Sequence, residues 1–196
     1  DPNNGNADGL DFGPGAGTVE QCLIHDFPDK GISLGGAPGS KMTGTVIYNC
    51  GSGINVNSST NCVIGNMTIS GCATGLFFRT SGANLSDLSG TNNIVWGNAV
   101  NVRFTGNSSL SLSYSDVQGG QPGVGNIDAD PLFVDAANKD FRLSAGSPAI
   151  GTGLGGASMG AIFPVGGLPP APRNLAALVT GTNLIQIHWQ DDSANE

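Results

Sequence analysis

The chain has 196 residues, of which only 11% are charged, and its formal net charge is −8. Glycine contributes 32 residues, which is typical of a fold with a turn every few residues. No basic stripe is present to neutralise phosphates, so no binding to nucleic acid is expected. No apolar run approaches the roughly 18 residues of a membrane-spanning helix, so no membrane span is predicted.

The first 15 residues are polar, and Leu10 and Phe12 are their only sizeable apolar side chains. They predict either an incomplete structural unit or a loop. Nothing amphipathic is present to cap the first unit, so we expect further units before residue 1, or a neighbouring molecule, to cover it. Residues 1–30 carry six acidic side chains against Lys30, so this end of the chain is the acidic one.

A pattern of about 22 residues is repeated between residues 22 and 78. TVIYNCGSGINV at Thr45–Val56 aligns with MTISGCATGLFF at Met67–Phe78, and a looser copy, CLIHDFPDKGISL, precedes them at Cys22–Leu34. Four aligned pairs are 22 residues apart: Ile47 with Ile69, Cys50 with Cys72, Gly53 with Gly75, and Ile54 with Leu76. A fixed period of this length indicates stacked structural repeats.

Each copy alternates apolar and polar residues over short runs that end in Gly, Asn or Ser, which is typical of strands joined by tight turns. No copy sustains the apolar spacing of a helix. A unit of 22 residues holds three short strands, so the sequence predicts an all-β fold, a parallel β-helix with three-strand coils. The aligned Ile and Leu pairs should face inward in register. Gly53 and Gly75 are predicted at turns that need a positive φ.

Four cysteines are present, and none of them forms the CxxC spacing of a metal site: Cys22, Cys50, Cys62 and Cys72. Cys50 and Cys72 occupy one repeat position on adjacent coils, which is within the reach of a disulfide. The alternatives are a disulfide and a ladder of buried side chains that Phe27 and Asn98 continue. We favour the ladder.

Two groups of polar residues are candidate sites. His25, Asp26 and Asp29 lie in the first copy, where a histidine beside carboxylates suits a general base and acids suit Ca²⁺, although a solvated turn has the same residues. Arg79 and Arg103 are close to one period apart. They are expected either to share a face and bind the carboxylate of an anionic sugar, or to be two isolated surface arginines.

Ser81–Thr91 is polar and is predicted to be a longer loop. The repeat then returns as NNIVWGN at Asn92–Asn98, followed by SYSDVQGG at Ser113–Gly120, NIDADPLFVD at Asn126–Asp135 and DFRLSAGSPAIGTG at Asp140–Gly153. With the earlier copies, these segments resemble the secreted right-handed parallel β-helix proteins of the pectate-lyase-like superfamily, bacterial surface type.

The resemblance covers roughly residues 17–163 and implies a right-handed helix of coils in an extracellular or cell-surface protein. Met159, Gly160 and Ala161 match a segment near the close of the helix in that family. An acid usually precedes its Gly-Ala pair, whereas Ser158 and Met159 stand here, so the role of that acid is assigned to neither residue.

Asp128, Asp130 and Asp135 have an acid spacing that suggests calcium, although the Gly and the closing Glu of an EF-hand loop are missing. The alternative is a set of structural turns, because Asp130 stands before Pro131 and Asp is a natural turn former. Calcium is the only cofactor that the sequence suggests.

The composition changes at residues 166–172 (GGLPPAP), which predict a linker after a β-helix at residues 1–165. Residues 173–196 contain two strand patterns, Asn174–Val179 and Leu184–Trp189. They resemble the start of a fibronectin type III domain, which needs about 100 residues to be complete.

Two functions are compatible with these features. The first is an extracellular or cell-surface β-helix protein with a structural, adhesive or glycan-binding role, which self-associates through its ends or its C-terminal strands. The second is the C-terminal part of a polysaccharide lyase or glycoside hydrolase whose active site lies on coils upstream. A glycosidase needs converging carboxylates, and residues 31–125 contain only Asp87 and Asp116. The sequence therefore favours the non-catalytic function and leaves enzymatic activity open.

Overall fold

The computed structural model describes residues 7–80 and 84–161, together with the backbone of two strands at 173–181 and 184–190. The chain divides into two compact units, Asp1–Ile162 and Phe163–Glu196, and each is described by itself. The linker predicted at residues 166–172 lies outside the described residues.

The first unit is a right-handed parallel β-helix in which each of five coils contributes one strand to each of three sheets. Sheet A consists of β1 (Leu10–Phe12), β4 (Lys30–Gly35), β7 (Ser52–Asn57), β10 (Thr74–Arg79) and β13 (Val100–Phe104). Sheet B consists of β2 (Thr18–Glu20), β5 (Lys41–Thr43), β8 (Cys62–Gly65), β11 (Ser86–Thr91) and β14 (Ser108–Ser113). Sheet C consists of β3 (Leu23–His25), β6 (Val46–Tyr48), β9 (Thr68–Ser70), β12 (Ile94–Trp96) and β15 (Asp116–Val117).

Equivalent residues of successive coils pair in register and fill one continuous core. Ile47 is opposite Ile69, and Ile54 is opposite Leu76, so both predicted pairs are confirmed. All four side chains are completely buried. Each such aliphatic side chain contributes about 1.5–3 kcal/mol when it is removed from water, which makes these stacked positions the main source of stability.

Gly53 and Gly75 lie inside strands β7 and β10 and do not have the positive φ that the sequence predicts. That expectation is wrong, and the reason for glycine is a close approach of the backbone instead. A Cβ on Gly53 would lie 2.6 Å from the Gly75 carbonyl oxygen and 2.5 Å from Cγ2 of Ile69. Gly31 stands at the same position one coil earlier, where the carbonyl oxygen of Gly53 blocks a Cβ at 2.9 Å.

Four residues occupy one equivalent position on successive coils and form the predicted ladder: Phe27, Cys50, Cys72 and Asn98. Backbone bonds link Gly51 N–H to the Phe27 carbonyl, and Ala73 N–H to the Cys50 carbonyl, both at 3.0 Å. Asn98 completes the ladder, because its Oδ1 accepts a bond of 2.9 Å from the Cys72 N–H. All four cysteines of the chain are free thiols.

The Ser81–Thr91 segment is not only a loop, because Ser86–Thr91 forms β11, which lies between β8 and β14 in sheet B. Residues 81–83 lie outside the described residues. Leu88 supplies the buried apolar side chain of this strand, and the buried Ser86 hydroxyl accepts a bond of 2.8 Å from the Ser58 N–H. A serine that is satisfied by hydrogen bonds takes a core position that a hydropathy pattern does not reveal.

The N-terminal segment, which the sequence leaves as an incomplete unit or a loop, forms the first strand of the first coil. Its strand β1 pairs in parallel with β4, so that Leu10 lies opposite Ile32 and Phe12 opposite Leu34. Lys30 anchors this segment, since its ammonium group donates to Asp8 at 3.1 Å.

The C-terminal segment of the first unit, residues 127–161, covers the outer face of sheet C. It contains an antiparallel pair, β16 (Phe133–Asp135) and β17 (Asp140–Leu143), and two short 3₁₀ helices at Ala136–Asn138 and Leu154–Gly156. Its Ala149 and Met159 pack with Ile94, whose side chain points outward from β12.

The end of this covering segment is held by hydrogen bonds. The Gly160 N–H donates to the Asn92 carbonyl at 2.7 Å, and the Ala161 N–H donates to Oγ1 of Thr68 at 2.9 Å. A Cβ on Gly160 would lie 2.8 Å from side-chain atoms of Thr68 and Ile94. The Gly-Ala segment therefore docks on the side of the β-helix and needs its glycine for close contact.

The second unit contains β18 (Arg173–Gly181) and β19 (Leu184–Gln190), which pair antiparallel with Ala177 opposite Ile187. Both strands predicted in this region are thus confirmed. Membership of the fibronectin type III class stays a prediction. Among the described residues, no helix is long and apolar enough to cross a membrane.

Candidate functional site

The outer face of sheet A brings together the two arginines that the sequence proposes as an anion site. Strand β10 carries Phe77 and Arg79 on this face, and strand β13 carries Arg103 directly opposite Phe77. The alternation of β10 explains this, because Leu76 and Phe78 point into the core. We call Phe77, Arg79 and Arg103 the arginine platform.

Both guanidinium groups of the platform lie against the Phe77 ring. The Arg103 Cζ is 5.0 Å from the ring centroid and the Arg79 Cζ is 5.8 Å from it, within the range of cation–π attraction. Both arginines are exposed, and the ring is half-buried. Stacking on the ring orders the two cations without using their hydrogen-bond donors.

Neither platform arginine forms an ion pair with a carboxylate of residues 7–80 or 84–161. Two other cations do form ion pairs: Lys30 contacts Asp8 and Asp29, and Arg142 Nε donates to Asp140 at 2.8 Å. The guanidinium donors of the platform are therefore available to an external anion.

Phe77 is the platform residue that sequence reasoning missed. Its signal is the doubled phenylalanine in TGLFFR, where one ring faces the core and the other must face outward. Its neighbours in the same row of the sheet are Asn55 and Ser33, one and two coils earlier. The row thus runs from hydroxyl and amide groups to an aromatic ring with arginines.

A second polar group, which we call the His25 cluster, consists of His25, Asp26, Tyr48, Asn49 and Lys139. His25 Nδ1 and Asp26 Oδ2 are 2.6 Å apart, and the imidazole stacks on the Tyr48 ring with centroids 4.8 Å apart. Asn49 donates to the other Asp26 oxygen. The Lys139 ammonium comes from the covering segment and lies 5.7 Å from the Tyr48 ring centroid.

The charge of Asp26 is stabilised within this cluster. The hydrogen bond from Asn49, and then the bond from His25, lower the pKa of Asp26 below its ordinary value of 3.8. Burial raises the pKa of Tyr48 above its ordinary value, so its phenol stays protonated. The pair can orient an imidazole with Nε2 directed away from the carboxylate, which is the geometry of a general base.

Asp29, the second acid that the sequence places in this candidate base, bonds to Lys30 instead. Sequence reasoning also missed Tyr48 and Lys139. Tyr48 has a signal, since it is an aromatic residue at an outward position of β6. Lys139 has none, because only the fold brings the covering segment back to the first coils.

The three calcium candidates each hold a backbone group. Asp128 Oδ1 accepts from the Gly119 N–H at 3.1 Å, and Asp130 Oδ1 accepts from the Leu132 N–H at 2.9 Å. Asp135 caps the first 3₁₀ helix through Asn138, and these bonds lower its pKa. In the described part of the chain, no three His, Cys, Asp or Glu side chains converge to hold a metal ion.

The comparisons with known proteins give one match. A family model described as a right-handed β-helix region matches residues 3–119, which is more than half of the chain and includes β1 to β15. Neither the curated proteins nor the solved structures gave a significant match.

Proposed function

The chain belongs to the right-handed β-helix family, and on that premise we propose that it is an extracellular or cell-surface β-helix protein that binds an acidic polysaccharide without cleaving it. The observation that carries this proposal is the arginine platform on the outer face of sheet A. Two arginines without carboxylate partners among the described residues flank an aromatic ring there. The proposed location rests on the resemblance to secreted β-helix proteins.

The chemistry of the platform suits a sugar that carries a carboxylate. A guanidinium group binds a carboxylate through two parallel N–H bonds, and such charge-assisted bonds are roughly twice as strong as neutral ones. The Phe77 ring offers an apolar surface for the C–H face of a pyranose. Asn55 and Ser33 lie along the same row but are buried, at 3% and 9% exposure, so the contacts expected with a sugar are those of the platform itself.

The charge distribution restricts where such a polymer can bind. The chain is acidic overall, so a polyanion is repelled from most of its surface. Screening limits that repulsion to about 8–10 Å at physiological salt, and the platform arginines act at contact distance. Binding is therefore expected to be local to sheet A and to weaken as salt is added.

Affinity electrophoresis and calorimetry of residues 1–196 with polygalacturonate, alginate and a neutral glucan test this proposal. We expect binding to the two acidic polymers and none to the glucan. The Arg79→Ala, Arg103→Ala double variant should lose at least about tenfold in affinity, since each charged hydrogen bond contributes about 1.5–3 kcal/mol. Lys41→Ala is the matched control, because Lys41 is an exposed cation on sheet B.

Two results would overturn the proposal. One is the absence of binding to any acidic polymer at low salt. The other is an equal loss of affinity in the double variant and in Lys41→Ala, which would indicate non-specific attraction. Arg103→Lys separates charge from geometry, because it keeps the cation and removes the planar, two-pronged donor.

The His25–Asp26 pair favours a second candidate, a polysaccharide lyase or glycoside hydrolase, because a base is positioned there. A hydrolase also needs a second carboxyl group across the scissile bond. Release of unsaturated or reducing sugar ends from the same polymers measures this activity. Turnover that His25→Ala abolishes would establish the second candidate, whereas we expect no turnover from the unmodified chain.

A further inference from the structure

Cys50 and Cys72 lie side by side on adjacent coils inside the β-helix. The Ala73 N–H donates to the Cys50 carbonyl at 3.0 Å, which fixes the register at this point. Both side chains are buried, with exposures of 4% and 2%, and each thiol shifts the pKa of the other. Both cysteines lie in turns, and the backbone bond between Ala73 and Cys50 stacks these turns at the spacing of the sheets, about 4.8 Å. A disulfide spans Cα separations of about 4.4–6.8 Å.

All four thiols contact a backbone carbonyl, that of Tyr48 at 3.3 Å for Cys50 and that of Ser70 at 3.6 Å for Cys72, and the other two thiols differ in having no cysteine beside them. Cys22 Sγ contacts the Glu20 carbonyl at 3.2 Å, and Cys62 Sγ contacts the Ala37 carbonyl at 3.7 Å. Within the described part of the chain, neither of these sulfurs has a hydrogen bond to another cysteine. Only one pair of thiols is therefore arranged for a bond within the coils that the structure describes.

The two thiols of the pair differ in how readily they ionise. The hydrogen bond from Cys72 lowers the pKa of the Cys50 thiol. The same hydrogen bond, with burial as the next cause, raises the pKa of the Cys72 thiol. Since the thiolate is the nucleophile in exchange, Cys50 is the thiol that reacts first.

The geometry points to a reversible disulfide between Cys50 and Cys72 that joins the second coil to the third and forms by exchange with a small disulfide such as oxidised glutathione. The Cys50 thiolate attacks one sulfur of glutathione disulfide, breaks its S–S bond and releases one glutathione thiolate. Cys72 then loses its proton to solvent, attacks the Cys50 sulfur and displaces the second glutathione. The two protein thiols lose two electrons, and the glutathione disulfide gains both.

The burial of the pair determines when the exchange takes place. A small disulfide reaches these sulfurs before the coils close during folding, or through local opening of the folded chain. The bond closes a loop between residues that are 22 positions apart. Because a loop of this size restricts the unfolded chain, the equilibrium constant for unfolding is expected to fall about three hundredfold.

The experiment refolds the full chain from urea in buffers with increasing ratios of oxidised to reduced glutathione. Free thiols are then alkylated, and the peptides are identified by mass spectrometry. We expect one cross-linked pair of peptides, with Cys50 bonded to Cys72, while Cys22 and Cys62 are alkylated. The oxidised protein should unfold at higher urea than the reduced one, and a reductant should reverse the shift.

Cys72→Ser and Cys62→Ser are the two variants to compare, since each removes one buried thiol. Cys62→Ser should retain both the cross-link and the oxidant-dependent shift, and Cys72→Ser should lose both. The proposal is wrong if the unmodified chain gives no Cys50–Cys72 peptide at any ratio, or if Cys22 or Cys62 forms the bond instead. Because this peptide result comes from the unmodified chain, it stands even where a variant folds poorly.

Discussion

Asp116 is a fully buried carboxyl group on the outer face of sheet C, under the covering segment. Its Oδ1 accepts a bond of 3.2 Å from the Ala129 N–H, and its Oδ2 has no hydrogen-bond partner among the described residues. Burial is the largest cause that raises the pKa of Asp116 from 3.8 to about 6, and the charges of Asp128 and Asp130 add to it. The protonated acid therefore fits this place better than the carboxylate.

The sign of the resulting pH dependence follows from the raised pKa. The folded chain binds this proton more tightly than the unfolded chain. The contribution of Asp116 to the free energy of unfolding is therefore complete below pH 3.8 and is lost as the pH rises through about 6. The loss between pH 5 and pH 7.5 should be about 1–2 kcal/mol. Asp116→Asn should remove that difference in urea unfolding, whereas Asp11→Asn, at an exposed acid, should keep it.

An unchanged difference between the two pH values in Asp116→Asn would contradict this assignment. The Asn side chain keeps an oxygen for the Ala129 N–H, so the variant changes the charge with little change in shape.

Gly53 gives a second test at the scale of single residues. Gly53→Ala would place a methyl group against the Gly75 carbonyl oxygen, which is backbone and cannot rotate away. Overpacking of this kind costs about 1–3 kcal/mol, so the thermal midpoint should fall clearly. Gly13→Ala is the control, since its Cβ would meet no atom within 4 Å. Equal stability of the two variants would contradict this expectation, because it would show that the neighbouring coils move apart to admit the methyl group at little cost in free energy.

At the scale of elements, the 22-residue period predicts the three sheets well, because stacked coils repeat their side chains in register. Ile47 and Ile69 needed only that period. The same logic failed at Ser86–Thr91, where polar residues that bond to neighbouring coils replace apolar ones. The prediction of a turn also failed at Gly53. Glycine is required both in a turn with positive φ and where two backbones approach closely, and the sequence does not distinguish the two.

The covering segment could not be placed from the sequence at all. Its contacts join residues more than 60 positions apart, such as Leu154 N–H to Asn92 Oδ1 at 2.7 Å. No local sequence pattern indicates a contact between residues so far apart along the chain. The Arg79 and Arg103 pair was predictable from its spacing near one period, while the aromatic ring between them depended on which Phe faces outward.

The Phe141 side chain packs the strand pair β16 and β17 against the coils of the β-helix. Its ring is 5.4 Å from the Tyr48 ring and 5.3 Å from the Phe133 ring, and it is 8% exposed. Phe141→Ala should weaken the docking by about 3–5 kcal/mol. Trypsin should then cleave after Lys139 or Arg142 at least about tenfold faster, while the circular dichroism of the coils stays unchanged.

Val134→Ala is the control for this release, because Val134 lies on the same strand pair and is 51% exposed. Cleavage that is equally fast in both variants, or that is unchanged in Phe141→Ala, would show that other contacts hold the segment.

At the scale of the whole molecule, the two ends of the β-helix differ from its middle. Strand β13 is the last strand of sheet A among the described residues, so one backbone edge there has no partner strand in that part of the chain. The inward row of this strand is open to solvent, with Phe104 at 47% and Val100 at 45% exposure. Exposed edges with apolar side chains promote pairing with another chain.

We therefore expect residues 1–196 to self-associate as their concentration rises, with this end of sheet A in the contact. Phe104→Glu places a charge beside the open edge, and it should lower the average mass found by light scattering at high concentration. Val63→Glu is the matched control, since Val63 is 39% exposed on the side of sheet B and away from the ends. Circular dichroism of both variants checks that the coils remain folded. If the unmodified chain stays monomeric throughout, or if both variants reduce association equally, contact through this end is wrong. A mass that falls only with Phe104→Glu would instead place the contact between molecules at this end of sheet A.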